Sequence, residues 1–148
     1  MRIVFALPLL AACAGAHAAA PVASSAPTAP TAAQVDSGRR LFARCSGCHQ
    51  IGPNAGNVFG PQLTGVVGRK AGSVPNYSYS PALKKSALVW NEATLVAFIR
   101  DSDKVVPGNK MRFFSFMSEK QVRDIVAYLG TQGGPAVATP PRPVKPQG

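Results

Sequence analysis

Residues 44–50 read RCSGCHQ. Cys45 and Cys48 stand two residues apart, and His49 follows directly. The chain holds 3 Cys and 2 His, so this cluster takes most of its soft ligand-forming side chains. Three chemistries commonly use a CxxC pair in an exported protein. A redox disulfide belongs in a βαβ setting, and no run in this chain alternates like a strand. A closed structural zinc site needs four ligands. Once the leader described below is removed, Cys45, Cys48 and His49 are the only soft ligands left. The third chemistry is covalent attachment of haem c, for which C-x-x-C-H is the pattern. Two thiols add to the two vinyl groups on one edge of the porphyrin. The next residue then falls under the iron, where an imidazole is the proximal ligand.

Upstream of the motif the chain reads like an export leader. MRIVFALPLLAACAGAHAAAP has one Arg, an apolar run too short to span a bilayer, and small residues ending in Ala16-His17-Ala18. Residues 1–18 are therefore a signal peptide, and cleavage before Ala19 removes Cys13 and His17. A second reading takes Leu10-Ala11-Ala12-Cys13 as a lipobox, with Cys13 lipidated and tethered to the membrane. Both readings take the protein out of the cytoplasm, and the soluble periplasmic form is slightly favoured. Residues 19–34 contain no charge and only Val22 as a larger apolar residue, which reads as an Ala/Pro-rich linker. Residues 133–148 form a Pro-rich tail expected to be disordered. The folded domain is expected over 35–132.

That domain is predicted to be all-α with long loops. Asp36 is placed to N-cap DSGRRLFARC, with Leu41, Phe42 and Cys45 on one face. Asn91 is placed to cap NEATLVAFIR, and PALKKS is a short helix candidate. Ser118 and Gln121 have capping-box spacing. Val122, Ile125, Val126 and Leu129 then recur at helical spacing, and Gly130 can end that helix. Residues 51–80 are rich in Gly, Pro, Asn and Ser and read as loops. A domain under about 100 residues needs a staple to complete its core, and a covalent haem would serve.

The second iron ligand follows by subtraction. Without His17 no second histidine remains, so the candidates are Met111 and Met117. Met111 ends VPGNKM, whose Pro-Gly turn can bring a thioether back over the distal face. Met117 follows FFSF and reads as core filler. His/Met ligation raises the iron potential and leaves no open position. That favours an electron carrier over a haem enzyme or gas sensor. The net charge is +10, from 16 basic and 6 acidic residues, and removal of the leader takes only Arg2 from it. Such a balance suits docking to acidic proteins. No nucleic-acid module and no aromatic interleaving of a basic run occurs, so nucleic acid is not expected as a partner.

Seven motifs in fixed order carry a resemblance to a known family. They are GRRLFARCSGCH, GPQLTGVVGRKAG, YSYSPALKKS, Trp90, TLVAF, VPGNKM and IVAYL. Together they resemble the class I c-type cytochromes, close to the branch of mitochondrial cytochrome c and bacterial cytochrome c2. The resemblance covers residues 35–132. It implies a small helical fold around one haem, bound through two thioethers, with the first and last helices crossing. It matches Cys45 and Cys48 to the thioether positions, and His49 and Met111 to the axial ligands. Pro61 matches the proline whose carbonyl accepts from the proximal imidazole. Arg69, Tyr79 and Trp90 match residues that hydrogen-bond the inner propionate. Phe113 matches the aromatic over the exposed haem edge, and Gly38, Phe42 and Tyr128 match the helix crossing. Phe98 and Leu83 depart from many relatives, which carry a tyrosine and an asparagine there, and both changes make the distal side drier. Val58, Asp103, Met117 and Ser118 stand where mitochondrial members often carry haem-edge lysines, while Arg39, Arg44, Lys104 and Lys110 keep part of that basic ring.

The function implied is one-electron transfer between a quinol-oxidising complex, respiratory or photosynthetic, and a terminal acceptor such as an oxidase. The carrier is expected to be a monomer and not an enzyme in its own right. The alternative is an electron-transfer subunit of a larger periplasmic dehydrogenase or oxidase.

Overall fold

A computed structural model describes residues 29–114 and 116–133. The expected signal peptide, Cys13, most of the linker and all of the tail beyond Gly133 lie outside those residues.

Five α-helices follow in chain order: α1 Ala32–Leu41, α2 Pro81–Lys85, α3 Glu92–Arg100, α4 Ser102–Val105 and α5 Glu119–Gly130. A single 3-10 turn, Phe42–Arg44, continues α1 into the cysteine motif. Among the described residues there is no strand, only one antiparallel bridge between Lys70 and Val89. The all-α expectation therefore holds, and 51–80 is loop and turn apart from the Lys70 side of that bridge.

The helix ends show which local signals were read well. Asn91 caps α3 with its side chain accepting from Thr94 N–H, and Ser118 caps α5 the same way through Gln121. α1 differs from expectation. It starts at Ala32, inside the stretch assigned to the linker, and Thr31 rather than Asp36 is its cap. Thr31 accepts from Gln34 N–H at 3.2 Å, while the Gln34 side chain accepts from Thr31 N–H at 2.8 Å. That reciprocal box satisfies two end donors at once, and the alanines after it favour helix. Asp36 sits inside α1, exposed.

α1 and α5 cross closely, and the crossing point is Gly38. A Cβ there would overlap the Asp124 carbonyl and come within 2.8 Å of Tyr128 Cβ. The absent side chain lets the two backbones approach. Phe42 meets the Tyr128 ring edge-on at 5.8 Å, and Arg39 lies over the other side of the contact, 5.7 Å from that ring's centroid. Val122, Ile125, Val126 and Leu129, the apolar stripe of α5, are almost fully buried against Leu95, Val96, Phe98 and Ile99 of α3. Outside that seam Arg123 bridges Glu119 and Glu92, and Arg100 pairs with Glu119, all exposed. Such pairs add little stability singly. Their effect is to occupy two of the chain's 6 acids, leaving the basic surplus elsewhere.

Candidate functional site

The helices leave a cavity of about 390 Å³ at their centre, within the range of pockets that hold a small ligand. Its walls are largely apolar: Leu63, Val66, Leu83, Leu95, Phe98 and Ile99 among them. Every residue singled out for the site lines it, namely Cys45, Cys48, His49, Pro61, Arg69, Tyr79, Trp90, Met111 and Phe113. Met117 is elsewhere. It is buried in the core, in line with its reading as core filler.

The cysteine motif is a tight turn. Cys48 N–H and His49 N–H both donate to Cys45 carbonyl, at 3.0 and 2.9 Å. Both thiols are free, Cys45 half-buried and Cys48 exposed. Burial, with Cys48 beside it, pushes the Cys45 thiol up to about 11, so it is held as the neutral thiol. His49 is fixed from two sides. Its Nδ1 lies 2.8 Å from the Pro61 carbonyl. A carbonyl only accepts, so Nδ1 carries the proton and the lone pair is on Nε2. Burial lowers the basicity of the ring, which favours that neutral form. Gly60 also lies against the ring: a Cβ there would come within 2.8 Å of three ring atoms. Gly60 N–H is itself tied to Cys48 carbonyl at 2.7 Å.

On the polar side Arg69 is half-buried. It donates to Thr64 and Gln62 carbonyls at 3.1 and 2.9 Å, and desolvation lowers its basicity. No carboxylate pairs with it among the described residues. A half-buried cation without a protein anion suits a site that receives one from a ligand. Tyr79 is buried nearby, with its phenol held up by desolvation and drawn back by Val74 and Arg69. Trp90 is buried against Phe98, ring centroids 4.9 Å apart, and exchanges backbone bonds with Gly68 and Arg69.

Tyr77, Ser80 and Asn109 also line the cavity and were not picked out from the sequence. Tyr77 donates to Phe59 carbonyl at 2.8 Å and meets Tyr79 edge-on at 4.6 Å. Ser80 is buried and caps α2, its Oγ accepting from Leu83 N–H at 3.1 Å. Asn109 is 1 % exposed and holds the turn before Met111. The signal for Asn109 was its place after Pro-Gly, where a side-chain amide commonly closes a turn.

The donor set fits a haem. Two thiols sit at one rim of an apolar cavity. A neutral imidazole beside them presents a lone pair, a thioether lines the same space, and an unpaired guanidinium lies at its polar side. A cytochrome c family model matches residues 35–133. The chain belongs to the cytochrome c family. Its relatives include the cytochrome c2 of Rhodomicrobium vannielii, 44% identical over 97 residues, which cover 66% of this chain and 78% of that one. A cytochrome c2 of Rhodoplanes tepidamans is 45% identical over 69% of this chain and 94% of its own length. Among solved structures, cytochrome cH from Methylobacterium extorquens superposes with a TM-score of 0.61 at 45% identity, over 66% of this chain and 97% of that one. As a cytochrome c the protein carries covalently bound haem c and serves electron transport with redox protein partners. No helix among the described residues is long and apolar enough to cross a membrane.

Proposed function

We propose that this cytochrome c is an exported carrier of single electrons with a His49/Met111-ligated haem c. It would take electrons from a quinol-oxidising complex and pass them to a terminal acceptor such as an oxidase. The observation that carries this reading is that Cys45, Cys48, His49 and Met111 all line one largely apolar cavity. When bound, the haem supplies an iron that changes its charge by one electron without making or breaking protein bonds.

The chain's own residues do the rest. Cys45 and Cys48 provide the two thioether sulfurs. Pro61 carbonyl and Gly60 hold the His49 ring with its Nε2 unprotonated, so that this lone pair would be available to the iron. Arg69, Tyr79 and Trp90 would receive a haem propionate. Phe98 and Leu83 keep water from the distal side, and that favours the less charged ferrous state. Phe113 covers the edge through which electrons leave. With His49 and Met111 holding both axial positions the iron would have no open position, so the protein would carry electrons rather than catalyse. The leader would place it in the periplasm, as a soluble monomer if cleaved after Ala18 and as a tethered one if acylated at Cys13. Intact mass together with membrane fractionation separates those two forms.

The absorption spectrum of the ferric holoprotein tests the ligation. An iron–thioether band should be present, should vanish in Met111→Ala with a fall in potential, and should survive in Met117→Ala. Loss of the band in Met117→Ala and its survival in Met111→Ala would overturn the assignment.

A further inference from the structure

The segment 101–112 holds more polar side-chain bonds than a turn of its length needs. Val106-Pro107-Gly108-Asn109 is a β-turn closed by Asn109 N–H to Val106 carbonyl at 3.1 Å, with Gly108 at φ +81. Both backbone groups of the next-but-one residue, Met111, are then taken by side chains. Its N–H donates to Asn109 Oδ1 at 2.7 Å. Its carbonyl accepts from Ser102 Oγ at 3.2 Å and from Arg112 Nη1 at 3.3 Å. Asn109 is itself oriented: its amide nitrogen donates to Asp103 Oδ1 at 2.8 Å and to Val106 carbonyl at 3.0 Å. Asp103 also stands 3.6 Å from Arg112 Nη1, and that guanidinium donates to Asn109 carbonyl at 3.0 Å.

Ser102 and Asp103 belong to α4, whose four residues could not form a stable helix alone. Asp101 caps it, accepting from Lys104 N–H at 3.0 Å. Three successive residues thus have separate tasks: Asp101 starts the helix, Ser102 takes the Met111 carbonyl, and Asp103 turns the Asn109 amide. The amide orientation matters. With its nitrogen toward Asp103, the oxygen faces Met111 N–H; flipped, it would set two donors against each other. A carboxylate in place of a haem-edge lysine is therefore not only a lost docking charge.

We propose that Asp103, acting through Asn109, and Ser102 are positioning residues that keep the Met111 thioether at the iron and competing ligands away from it. The proposal rests on Met111 being the ligand. Releasing the clamp lets the turn swing, and the thioether is then displaced more easily, while the core of α1, α3 and α5 is untouched.

The test measures imidazole binding to ferric holoprotein, with the iron–thioether band and the denaturant midpoint followed in parallel. Met111→Ala first establishes the baseline. If it binds imidazole as weakly as the wild type does, the ligand assignment falls. If it binds more readily, the ligand stands and the clamp can be judged. Asp103→Ala should then tighten apparent imidazole binding roughly threefold to tenfold, the worth of one half-exposed charge-assisted hydrogen bond. Asp103→Asn, which keeps an acceptor, should stay near wild type. Ser102→Ala should act in the same direction as Asp103→Ala. In an Asn109→Ala background Asp103→Ala should add nothing. Wild-type imidazole binding in both Asp103→Ala and Ser102→Ala overturns the clamp. So does an increase that tracks a general loss of stability, with the midpoint falling in proportion.

Discussion

The two sides of the haem cavity are built differently. On the His49 side everything needed lies in one short run. The cysteines, the imidazole and the turn that joins them are consecutive, and the brace from Gly60 and Pro61 arrives eleven and twelve residues later. The ring is confined by contact and by one short hydrogen bond. On the Met111 side no covalent tether exists. Met111, the proposed ligand, hangs from a Pro-Gly turn held by Ser102, Asp103, Asn109 and Arg112 through hydrogen bonds alone. A jammed site fails by failing to form. A hydrogen-bonded one fails by opening. On the proposed ligation, the thioether rather than the imidazole is expected to exchange.

The strongest way to break the comparison is to delete each ligand. His49→Ala should yield no mature holoprotein, since the proximal ligand has no substitute among the described residues. Met111→Ala should still mature and fold around a covalently held haem, lacking only the thioether band and the higher potential. Haem stain on a denaturing gel separates the two outcomes directly. Equal haem incorporation by both variants would mean that the proximal side is no more essential to assembly than the distal side.

The two glycines sharpen it. Gly60→Ala forces a Cβ into the His49 ring, and backbone fixed by Pro61 and by the Cys48 bond leaves little room to yield. Overpacking of that kind costs about 1–3 kcal/mol, and here it also tilts the ring. Gly108→Ala has space, with Ala82 Cβ the nearest atom at 3.6 Å, but carries the strain of a positive φ. That strain is about 1–2 kcal/mol. Denaturant unfolding should thus show similar losses. The difference lies in which axial ligand moves: Gly60→Ala should disturb the imidazole resonances in NMR of the ferric protein, Gly108→Ala those of the Met111 methyl. A shift of the same ligand in both variants would contradict the division of labour.

How much of this was readable beforehand differs between the two sides for the same reason. The proximal side is local in sequence, so CxxCH announced it. The caps of α3 and α5 were also legible, because Asn91 and Ser118 each stand next to the residues they serve. The cap of α1 was missed although Thr31 and Gln34 have capping-box spacing. The Ala/Pro/Ser/Thr composition around them suggested a linker, and composition was weighed above the pair. Asp36, a good cap in isolation, was overruled by a helix that had already begun. α4 was invisible because four residues show no periodicity. Its role depends on contacts with a turn several residues later, which no local pattern reports. The position of Met111 was expected from the Pro-Gly turn, but its clamp was not. Asp103 was noted as a missing lysine on the docking face, whereas the structure has its carboxylate bonded to Asn109. Met117 was read as core filler from the run FFSF before it, and it is buried.

The smallest expected effect concerns the outer rims of the two sides, where partners would dock. Near the proximal rim Val58 and Phe59 are exposed, and Arg44 lines the cavity. Near the distal rim Lys110 and Arg112 line the cavity, and Phe114 and Phe116 are exposed beyond Phe113. Lys110 is held loosely, with its ammonium 3.4 Å from Ser78 carbonyl. Both rims thus mix charge with apolar surface, and the mixture predicts a divided response. Charge reversal at Lys110 should slow association with an acidic redox partner by a fewfold at low salt, and the difference should fade near 0.15 M salt, where screening acts over about 8 Å. Phe116→Ser should leave association nearly unchanged and shorten the life of the complex, because apolar contact acts mainly on dissociation. Charge reversal at Lys104 should resemble that at Lys110, unless its neighbour Asp103 already offsets it. Stopped-flow electron transfer across a salt series reads both constants. If rates are flat in salt while Phe116→Ser still weakens binding, the basic ring is only a solvated surface and the phenylalanines alone hold the partner.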